Sequence, residues 1–130
     1  MFLSEAGVVK LGDFGLAIQL EHSLSKRATT CGTSMYMAPE VYKENGVLKS
    51  DVWSLGMSVI EMAEGKHPYD GLSPYEVMNH LFHVSPPTLS SPGWSSDLVD
   101  FVGKCLVGEP EKRASVNELM EVSVLSESNE

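Results

Sequence analysis

The first residues of the chain have the pattern of a short β-hairpin. Residues 1–4 and 8–11 are apolar-rich segments on either side of the turn sequence Glu5-Ala6-Gly7. Glycine at the end of such a connection readily takes the positive φ of a tight turn, so the pattern predicts two antiparallel strands. From residue 19 to residue 39 no hydrophobic period persists. We predict a long loop there, and long loops in compact domains are usually functional.

Two helices are predicted in the middle of the chain. Residues 51–63 carry apolar side chains around most of the helix circumference, which indicates a helix that is buried on most sides. Ser50 is expected to cap its start and Gly65 to end it. A capping box at residues 73–76, with proline at the first helical position, predicts a second helix. Its inward-facing residues are predicted to be Val77, Met78, Leu81 and Phe82.

Two further helices are predicted towards the C-terminus, after a loop rich in proline and serine at residues 85–94. Residues 96–107 have amphipathic spacing, and a second capping box at residues 115–118 predicts a short last helix. The apolar side of the first of these is predicted to comprise Leu98, Val99, Phe101, Val102, Cys105 and Leu106. The pattern therefore predicts a mainly α fold, a hairpin followed by a loop and about four helices. We assign residues 1–122 to one domain and residues 123–130 to a frayed acidic tail.

Composition narrows the classes of function. The chain has 130 residues, enough for one domain, and its 18 Asp and Glu against 9 Lys and Arg give a formal net charge of −9. Nucleic acids and anionic membranes attract clustered cations, so neither is an expected partner. The two cysteines have no metal-site spacing, and no signal-peptide or membrane-spanning pattern is visible. The sequence predicts a soluble, cytoplasmic protein.

Four short motifs occur in a fixed order: KLGDFGLA at 10–17, GTSMYMAPE at 32–40, SDVWSLG at 50–56 and EKRA at 111–114. Asp-Phe-Gly alone is a weak signal, but the ordered set resembles the eukaryotic protein kinases. The stretch IEMAEGK at 60–66, followed by Pro68-Tyr69, resembles the sterile-twenty-like branch of serine/threonine kinases. Mitogen-activated kinase kinases are the alternative subfamily. The resemblance implies the C-terminal lobe of a kinase domain, which is α+β by family, and transfer of phosphate from ATP to protein serine or threonine.

The resemblance also implies ATP and Mg²⁺ as cofactors, because phosphoryl transfer depends on neutralising phosphate charge. Asp13 corresponds to a catalytic Mg²⁺ ligand, although an aspartate in an ordinary turn is the alternative. Phe14 and Gly15 complete that motif, with Phe14 as a packing plug that sets the position of the loop. Phe2 falls where the family places an apolar floor under adenine, and a plain core phenylalanine is an equally good interpretation.

Three threonines lie in the predicted loop. Thr29, beside Lys26-Arg27, corresponds best to an activating phosphosite, and Thr30 is the second candidate. A phosphate there would add almost two negative charges and order the loop through arginines. Solvated loop threonines are the alternative for both. Thr33 corresponds to the threonine that serine/threonine kinases place near the catalytic aspartate and the substrate hydroxyl.

Three further residues correspond to structural positions of the family. Glu40 and Arg113 match a buried ion pair between the end of the loop and the last helices. Asp51 matches a carboxylate that binds the backbone of the catalytic loop. By contrast, His80 and His83 could share a helix face, but no third metal ligand is placed, so we expect no metal there.

Several kinase motifs have no counterpart in these residues. The sequence contains no glycine-rich phosphate loop, no phosphate-pairing strand lysine and no His-Arg-Asp catalytic loop. We therefore expect the 130 residues alone to be inactive. Two interpretations stay open: a portion of an active kinase with protein substrates and upstream or partner kinases, or a pseudokinase-like binding module or truncated gene product.

Overall fold

The structure, a computed structural model, describes residues 2–17, 33–90 and 92–122. It begins with an antiparallel hairpin of β1 (Phe2–Leu3) and β2 (Val9–Lys10). Gly7 has a φ of 78°, and its N–H donates to the Ser4 carbonyl at 3.0 Å to close the turn. The predicted hairpin is confirmed, with shorter strands than the sequence suggested.

Helices make up most of the regular structure in the described ranges, which confirms the mainly α fold class. The helices are α1 (Pro39–Tyr42), α2 (Ser50–Glu64), α3 (Pro74–His83), α4 (Ser96–Cys105) and α5 (Val116–Met120). Two single-turn 3₁₀ helices, Phe14–Leu16 and Ser34–Tyr36, precede them. The sequence did not predict α1, and none of the helices in these ranges is long and apolar enough to cross a membrane.

Local capping determines where three of the helices begin or end. In α3 the Ser73 hydroxyl accepts from the Glu76 N–H at 3.4 Å, and the Glu76 carboxylate accepts from the Ser73 N–H at 2.8 Å. Ser115 and Glu118 make the same reciprocal pair at the start of α5. Gly65 ends α2 in the left-handed conformation, with a φ of 69°. These caps were all predicted from the sequence, because each depends on residues only a few positions apart.

The start of α2 corrects a prediction. Ser50 is the first helical residue and not the cap, and the Lys49 side chain at the cap position makes no capping hydrogen bond. The Ser50 hydroxyl instead accepts from the Val47 N–H at 2.9 Å and donates to Glu40 at 2.8 Å. The Ser50 hydroxyl is therefore used in a tertiary hydrogen bond to the Glu40 carboxylate and not in a helix cap.

The core forms where α2 crosses α4. A Cβ on Gly56 of α2 would lie 2.6 Å from the Cβ of Cys105 in α4, so glycine allows the two helices to approach closely. The buried apolar residues around this contact include Val52, Trp53, Met57, Ile60, Val77, Phe101, Val102, Cys105, Leu106 and Leu119.

Two residues predicted to face inward are exposed. Phe82 is 37% exposed at the edge of α3, where its ring meets the edge of Tyr42 and lies 4.9 Å from the Lys43 ammonium. Val99 is 49% exposed, because the apolar arc of α4 is wider than the face that its neighbours cover. Helix α4 also ends at Cys105 and not at residue 107.

Candidate functional site

Asp13 lies in a strained turn immediately after β2. Its φ and ψ are both 63°, a left-handed conformation that residues other than glycine seldom adopt. The 3₁₀ helix Phe14–Leu16 begins at the next residue. Both Asp13 and Phe14 are exposed. Backbone strain of this kind is commonly kept at functional sites. The turn presents a carboxylate on an open, glycine-flanked segment.

Phe2 lies beside this turn. A Cβ built on Gly12 would come within 2.7 Å of Cε2 of the Phe2 ring, so only glycine allows the ring to rest there. The hairpin thus brings Phe2 next to the residue that precedes Asp13. Phe2 is 61% exposed and is therefore not a plain core phenylalanine in these 130 residues.

The chemistry of this turn is compatible with magnesium. Mg²⁺ is commonly bound through one or two carboxylates, with the other ligands supplied by water and substrate phosphates. No group of three or more metal-ligating side chains occurs in the described part of the chain. A single exposed carboxylate at Asp13 suits an ion that reaches the site with phosphates and not a preformed cage.

Thr33 is exposed and immediately precedes the 3₁₀ turn Ser34–Tyr36. Three side-chain hydrogen bonds hold this turn in place. The Tyr42 hydroxyl donates to the Ser34 carbonyl at 2.8 Å, and the Ser54 hydroxyl donates to the Tyr36 carbonyl at 2.9 Å. Tyr36 in turn donates its hydroxyl to Glu61 at 2.5 Å. The backbone next to Thr33 is therefore held by α1 and α2. No hydrogen bond joins Thr33 to Asp13 among the described residues.

The Tyr36–Glu61 contact changes the reactivity of the phenol. The hydrogen bond to the Glu61 carboxylate, followed by burial and the negative charge of Glu61, raises the pKa of Tyr36 to about 12. Tyr36 therefore stays protonated and acts as a hydrogen-bond donor.

Glu40 and Arg113 form a buried bidentate ion pair across 73 positions of sequence. The two guanidinium nitrogens Nη1 and Nη2 donate to the two carboxylate oxygens at 2.6 and 3.0 Å. Arg113 is 1% exposed and Glu40 7% exposed. Parallel hydrogen bonds of this kind hold both groups in one geometry and give the pair its specificity.

Backbone carbonyls accept two further hydrogen bonds from Arg113. Arg113 Nε donates to the Val107 carbonyl and Nη1 to the Lys49 carbonyl, each at 2.8 Å. The Lys49 ammonium donates to the Arg113 carbonyl at 2.6 Å, which ties the same two segments a second time. The guanidinium also lies 5.2 Å from the centre of the Trp53 ring. The pair thus joins α1, the start of α2 and the segment before α5.

Asp51 lies in the first turn of α2 and remains exposed to solvent. Packing around it removes part of its hydration and raises the pKa of its carboxyl above the ordinary value. The described residues offer no hydrogen-bond donor to its side chain. Its carboxylate is therefore open to donors from outside these residues.

The remaining predictions are placed as follows. Thr29, Thr30 and the tail at 123–130 lie outside the described residues. His80 packs against the ring of Tyr69, and within the described ranges neither His80 nor His83 belongs to a cluster of three or more metal-ligating side chains.

Sequence reasoning missed the residues that hold the turn after Thr33. Tyr36, Tyr42 and Ser54 act through hydrogen bonds to backbone carbonyls or to a distant carboxylate. Such bonds leave no periodic signal in a sequence. The only sequence feature that could have indicated these contacts is the number of hydroxyl side chains near the Ala-Pro-Glu motif.

Comparison with known proteins identifies the proteins that this chain resembles over most of its length. A family model described as "Protein kinase domain" matches residues 1–125. "Serine/threonine-protein kinase hippo" of Drosophila melanogaster is 45% identical over 123 residues, 93% of this chain and 18% of that protein. "Serine/threonine-protein kinase cst-1" of Caenorhabditis elegans is 43% identical over 123 residues, 93% of this chain and 25% of that protein. These matches confirm the resemblance to serine/threonine kinases of the sterile-twenty-like branch, while the chain spans only a quarter or less of each relative.

Proposed function

Because the chain belongs to the protein kinase family, we propose that it forms the C-terminal part of a serine/threonine kinase domain. The domain would transfer the γ-phosphoryl group of ATP to serine or threonine side chains of protein substrates. The observation that carries this proposal is the buried Glu40–Arg113 pair. It joins two of the four kinase-like motifs through one charged contact, as the resemblance implied.

In this proposal the turn after β2 is one side of the nucleotide site. Asp13 would hold Mg²⁺, which supplies charge neutralisation at the nucleotide phosphates. The left-handed conformation of Asp13 presents its carboxylate on an open turn, and Gly15 keeps the following backbone free of side-chain bulk. The exposed ring of Phe2 provides an apolar surface beside this turn, where adenine could stack. Exposed Phe14 is the plug that would move with the loop.

The 3₁₀ turn after Thr33 would help to position the protein substrate. Thr33 is exposed, and its neighbouring backbone is fixed by Tyr42, Ser54 and the Tyr36–Glu61 hydrogen bond. A fixed backbone next to the substrate hydroxyl would support transfer of the phosphoryl group to that hydroxyl, because positioning accounts for much of phosphoryl-transfer catalysis. Phosphorylation at Thr29 or Thr30 by an upstream or partner kinase would order the loop before this turn.

We further propose a cytoplasmic location. It is supported by the free, buried thiol of Cys105, since small extracellular domains usually pair their cysteines. Burial raises the pKa of Cys105 to about 12, so this thiol is expected to stay unreactive.

A segment exchange tests the proposed activity. The 130 residues would replace the matching 123-residue segment of the kinase domain of Drosophila hippo, and phosphate transfer to a generic protein substrate would be measured. We expect the chimera to be active, and Asp13→Asn to lower kcat/KM by about 100-fold or more, because one electrostatic partner of the phosphates is lost.

The matched control is Asp70→Asn, which removes an exposed carboxylate that pairs only loosely with Lys66 at 3.8 Å. This variant should retain the activity of the chimera. A folded chimera that transfers no phosphate, or one in which the Asp13 and Asp70 variants behave alike, would show that the turn after β2 does not serve the reaction.

A further inference from the structure

The loop at residues 85–94, rich in proline and serine, has no role in the proposed nucleotide or substrate site. It follows α3 in an extended conformation, with a φ of −122° and a ψ of 152° at Val84. Val84 and Pro86 border an apolar hollow, and Leu89 packs against the core. Ser85 stands between the first two of these residues and is exposed, as expected where alternate side chains of an extended chain point to opposite sides. Apolar contacts therefore hold this segment on the surface with Ser85 facing solvent.

Ser85 makes no hydrogen bond to any described residue, through either its hydroxyl or its backbone. The backbone of residues 86–89 likewise makes none within the described ranges, and the next bond along the chain joins the Ser90 N–H to the Glu64 carboxylate. Segments without backbone hydrogen bonds open locally at a low cost in free energy. An enzyme can therefore take Ser85 and its neighbours into an extended binding groove without unwinding a helix.

The proline after Ser85 is the strongest recognition feature of this segment. Residues 77–96 contain no Asp, Glu, Lys or Arg, so an enzyme that selects its acceptor by neighbouring charge finds none to bind. Pro86 has no N–H to donate, and it favours an extended backbone at Ser85. An enzyme that acts here must therefore bind an extended chain and require no backbone hydrogen bond from the residue after the acceptor. Those are the requirements of a proline-directed kinase.

We propose that Ser85 is a phosphorylation site for a proline-directed serine/threonine kinase. In the reaction the Ser85 Oγ forms a bond to the γ-phosphorus of ATP, the bond from that phosphorus to its bridging oxygen breaks, and ADP leaves with the bonding electrons. The hydroxyl proton passes to the catalytic base of the acting kinase. The site is separate from Thr29 and Thr30, and because another enzyme performs the transfer, it does not rest on any activity of this chain.

Ser73-Pro74 is the same dipeptide in a different structural setting. The Ser73 hydroxyl donates to the Glu76 carboxylate at 2.6 Å, and Pro74 is already the first residue of α3. Phosphorylation of Ser73 would require the capping box to open and the first turn of the helix to unwind. The structure therefore favours Ser85 over Ser73, although the two dipeptides are identical in sequence.

The experiment uses the folded 130-residue chain with the substitution Ser91→Ala, which removes the remaining Ser-Pro acceptor of the sequence. A mitogen-activated protein kinase, which is proline-directed, is added with ATP, and chymotryptic phosphopeptides are quantified over time by tandem mass spectrometry. We expect phosphate transfer to Ser85 to be about tenfold or more faster than transfer to Ser73. A synthetic peptide of residues 68–90, in which no helix is capped, should lose this preference.

Two proline variants test the class of enzyme. Pro86→Ala gives the residue after Ser85 an N–H and a freer backbone, so the rate at Ser85 should fall by about tenfold or more. Pro87→Ala makes the same chemical change one position further on and should leave that rate unchanged. The basic-directed cyclic-AMP-dependent kinase and the acid-directed casein kinase should not modify Ser85, because neither finds a charge nearby.

Each part of the proposal has an outcome that overturns it. No phosphate at Ser85, or equal rates at Ser85 and Ser73 in the folded chain, would overturn the site. The same preference in the synthetic peptide would overturn the structural reason for it. An unchanged rate in Pro86→Ala, or equal modification of Ser85 by a charge-directed kinase, would overturn the assignment to a proline-directed enzyme.

Discussion

At the scale of single residues, Arg113 shows how this chain stabilises a full charge in its interior. Its Nε, Nη1 and Nη2 all donate hydrogen bonds, to the Glu40 carboxylate and to the carbonyls of Val107 and Lys49. Ser50 supplies the carboxylate with a further donor at 2.8 Å. A buried ion pair offsets its loss of hydration only when its geometry is good and its remaining hydrogen bonds are satisfied. This pair has bidentate geometry, and its guanidinium donates four hydrogen bonds in all.

Removing one partner should therefore be costly. We expect Arg113→Ala to lower the free energy of unfolding by about 3–5 kcal/mol, because it leaves the Glu40 carboxylate buried without its counterion. The measurement is urea denaturation of the purified chain. Lys112→Ala is the neighbouring control, since Lys112 pairs with Glu109 at the exposed surface, where water screens the ion pair, and its loss should change the stability little.

A double-mutant cycle between Glu40 and Arg113 separates their interaction from other effects of the substitutions. Its coupling energy should exceed that of the exposed Lys112–Glu109 pair clearly. A coupling energy near zero would mean that the bidentate contact does not form in solution.

His67 is the second residue with a measurable consequence, because burial lowers its pKa below the ordinary value of 6.5. Its Nδ1 accepts from the Tyr69 N–H at 3.0 Å, so the neutral form suits the fold, and the Glu61 and Asp70 carboxylates only partly offset the effect of burial. The unfolded chain then binds a proton more readily than the folded chain. Stability is complete above about pH 6.5 and falls as the pH drops towards the lowered pKa.

Urea denaturation at about pH 7 and about pH 5.5 measures this dependence. His67→Asn keeps a hydrogen-bond acceptor but cannot titrate, so its stability should change less between the two pH values than that of the unaltered chain. Identical pH dependence in the His67 variant and the unaltered chain would show that His67 does not carry the effect.

At the scale of elements, the packing of α2 on α4 depends on one missing side chain. The Cβ that Gly56→Ala would add meets the Cβ of Cys105 at 2.6 Å and the Leu106 side chain at 2.9 Å, so the helices would have to move apart. We expect this substitution to destabilise the chain by about 1–3 kcal/mol. The measurement is the urea midpoint.

Gly103→Ala makes the same chemical change on the exposed side of α4, where no atom lies within 4 Å of the added carbon. It should stabilise the helix by up to about 1 kcal/mol, because alanine has the higher helix propensity. Effects of equal sign in both variants would contradict the close packing at Gly56.

The elements that the sequence predicted well are those determined by neighbours in the chain. Each helix cap involves residues only a few positions apart and can therefore be predicted from the sequence. Examples are the capping boxes at Ser73 and Ser115 and the C-terminal glycine at residue 65. Helix α1 was missed because four residues are too few to show a period. Ser50 was misassigned because its hydroxyl binds Glu40, ten positions away, a partner that no local pattern reveals.

The features of the candidate site also differ in how far the sequence could predict them. The kinase resemblance implied the Glu40–Arg113 pair, although nothing local in the sequence indicates a contact across 73 positions. The hydrogen bonds that fix the turn after Thr33 could not be predicted, because hydroxyl groups bind whichever carbonyl or carboxylate the tertiary fold places near them. The roles of Asp13, Thr33 and Asp51 in catalysis stay predictions.

At the scale of the whole molecule, the N-terminal segment exposes an unusual amount of apolar surface. Phe2, Val8, Leu11, Phe14 and Leu16 are each more than half exposed. Exposed apolar surface of this kind often marks an interface with other protein. We expect it to be covered when these residues form part of a complete kinase domain, which also supplies the catalytic base and phosphate-binding groups.

The central claim is that these 130 residues contribute to a kinase site without completing one, and incorporation of labelled phosphate from ATP tests it most directly. The account predicts that the purified chain transfers no more phosphate to a generic protein substrate than a protein-free blank. The same residues within the hippo chimera should transfer phosphate in a manner that depends on Asp13. Transfer by the chain alone that disappears in Asp13→Ala, or a folded chimera without activity, would contradict the account.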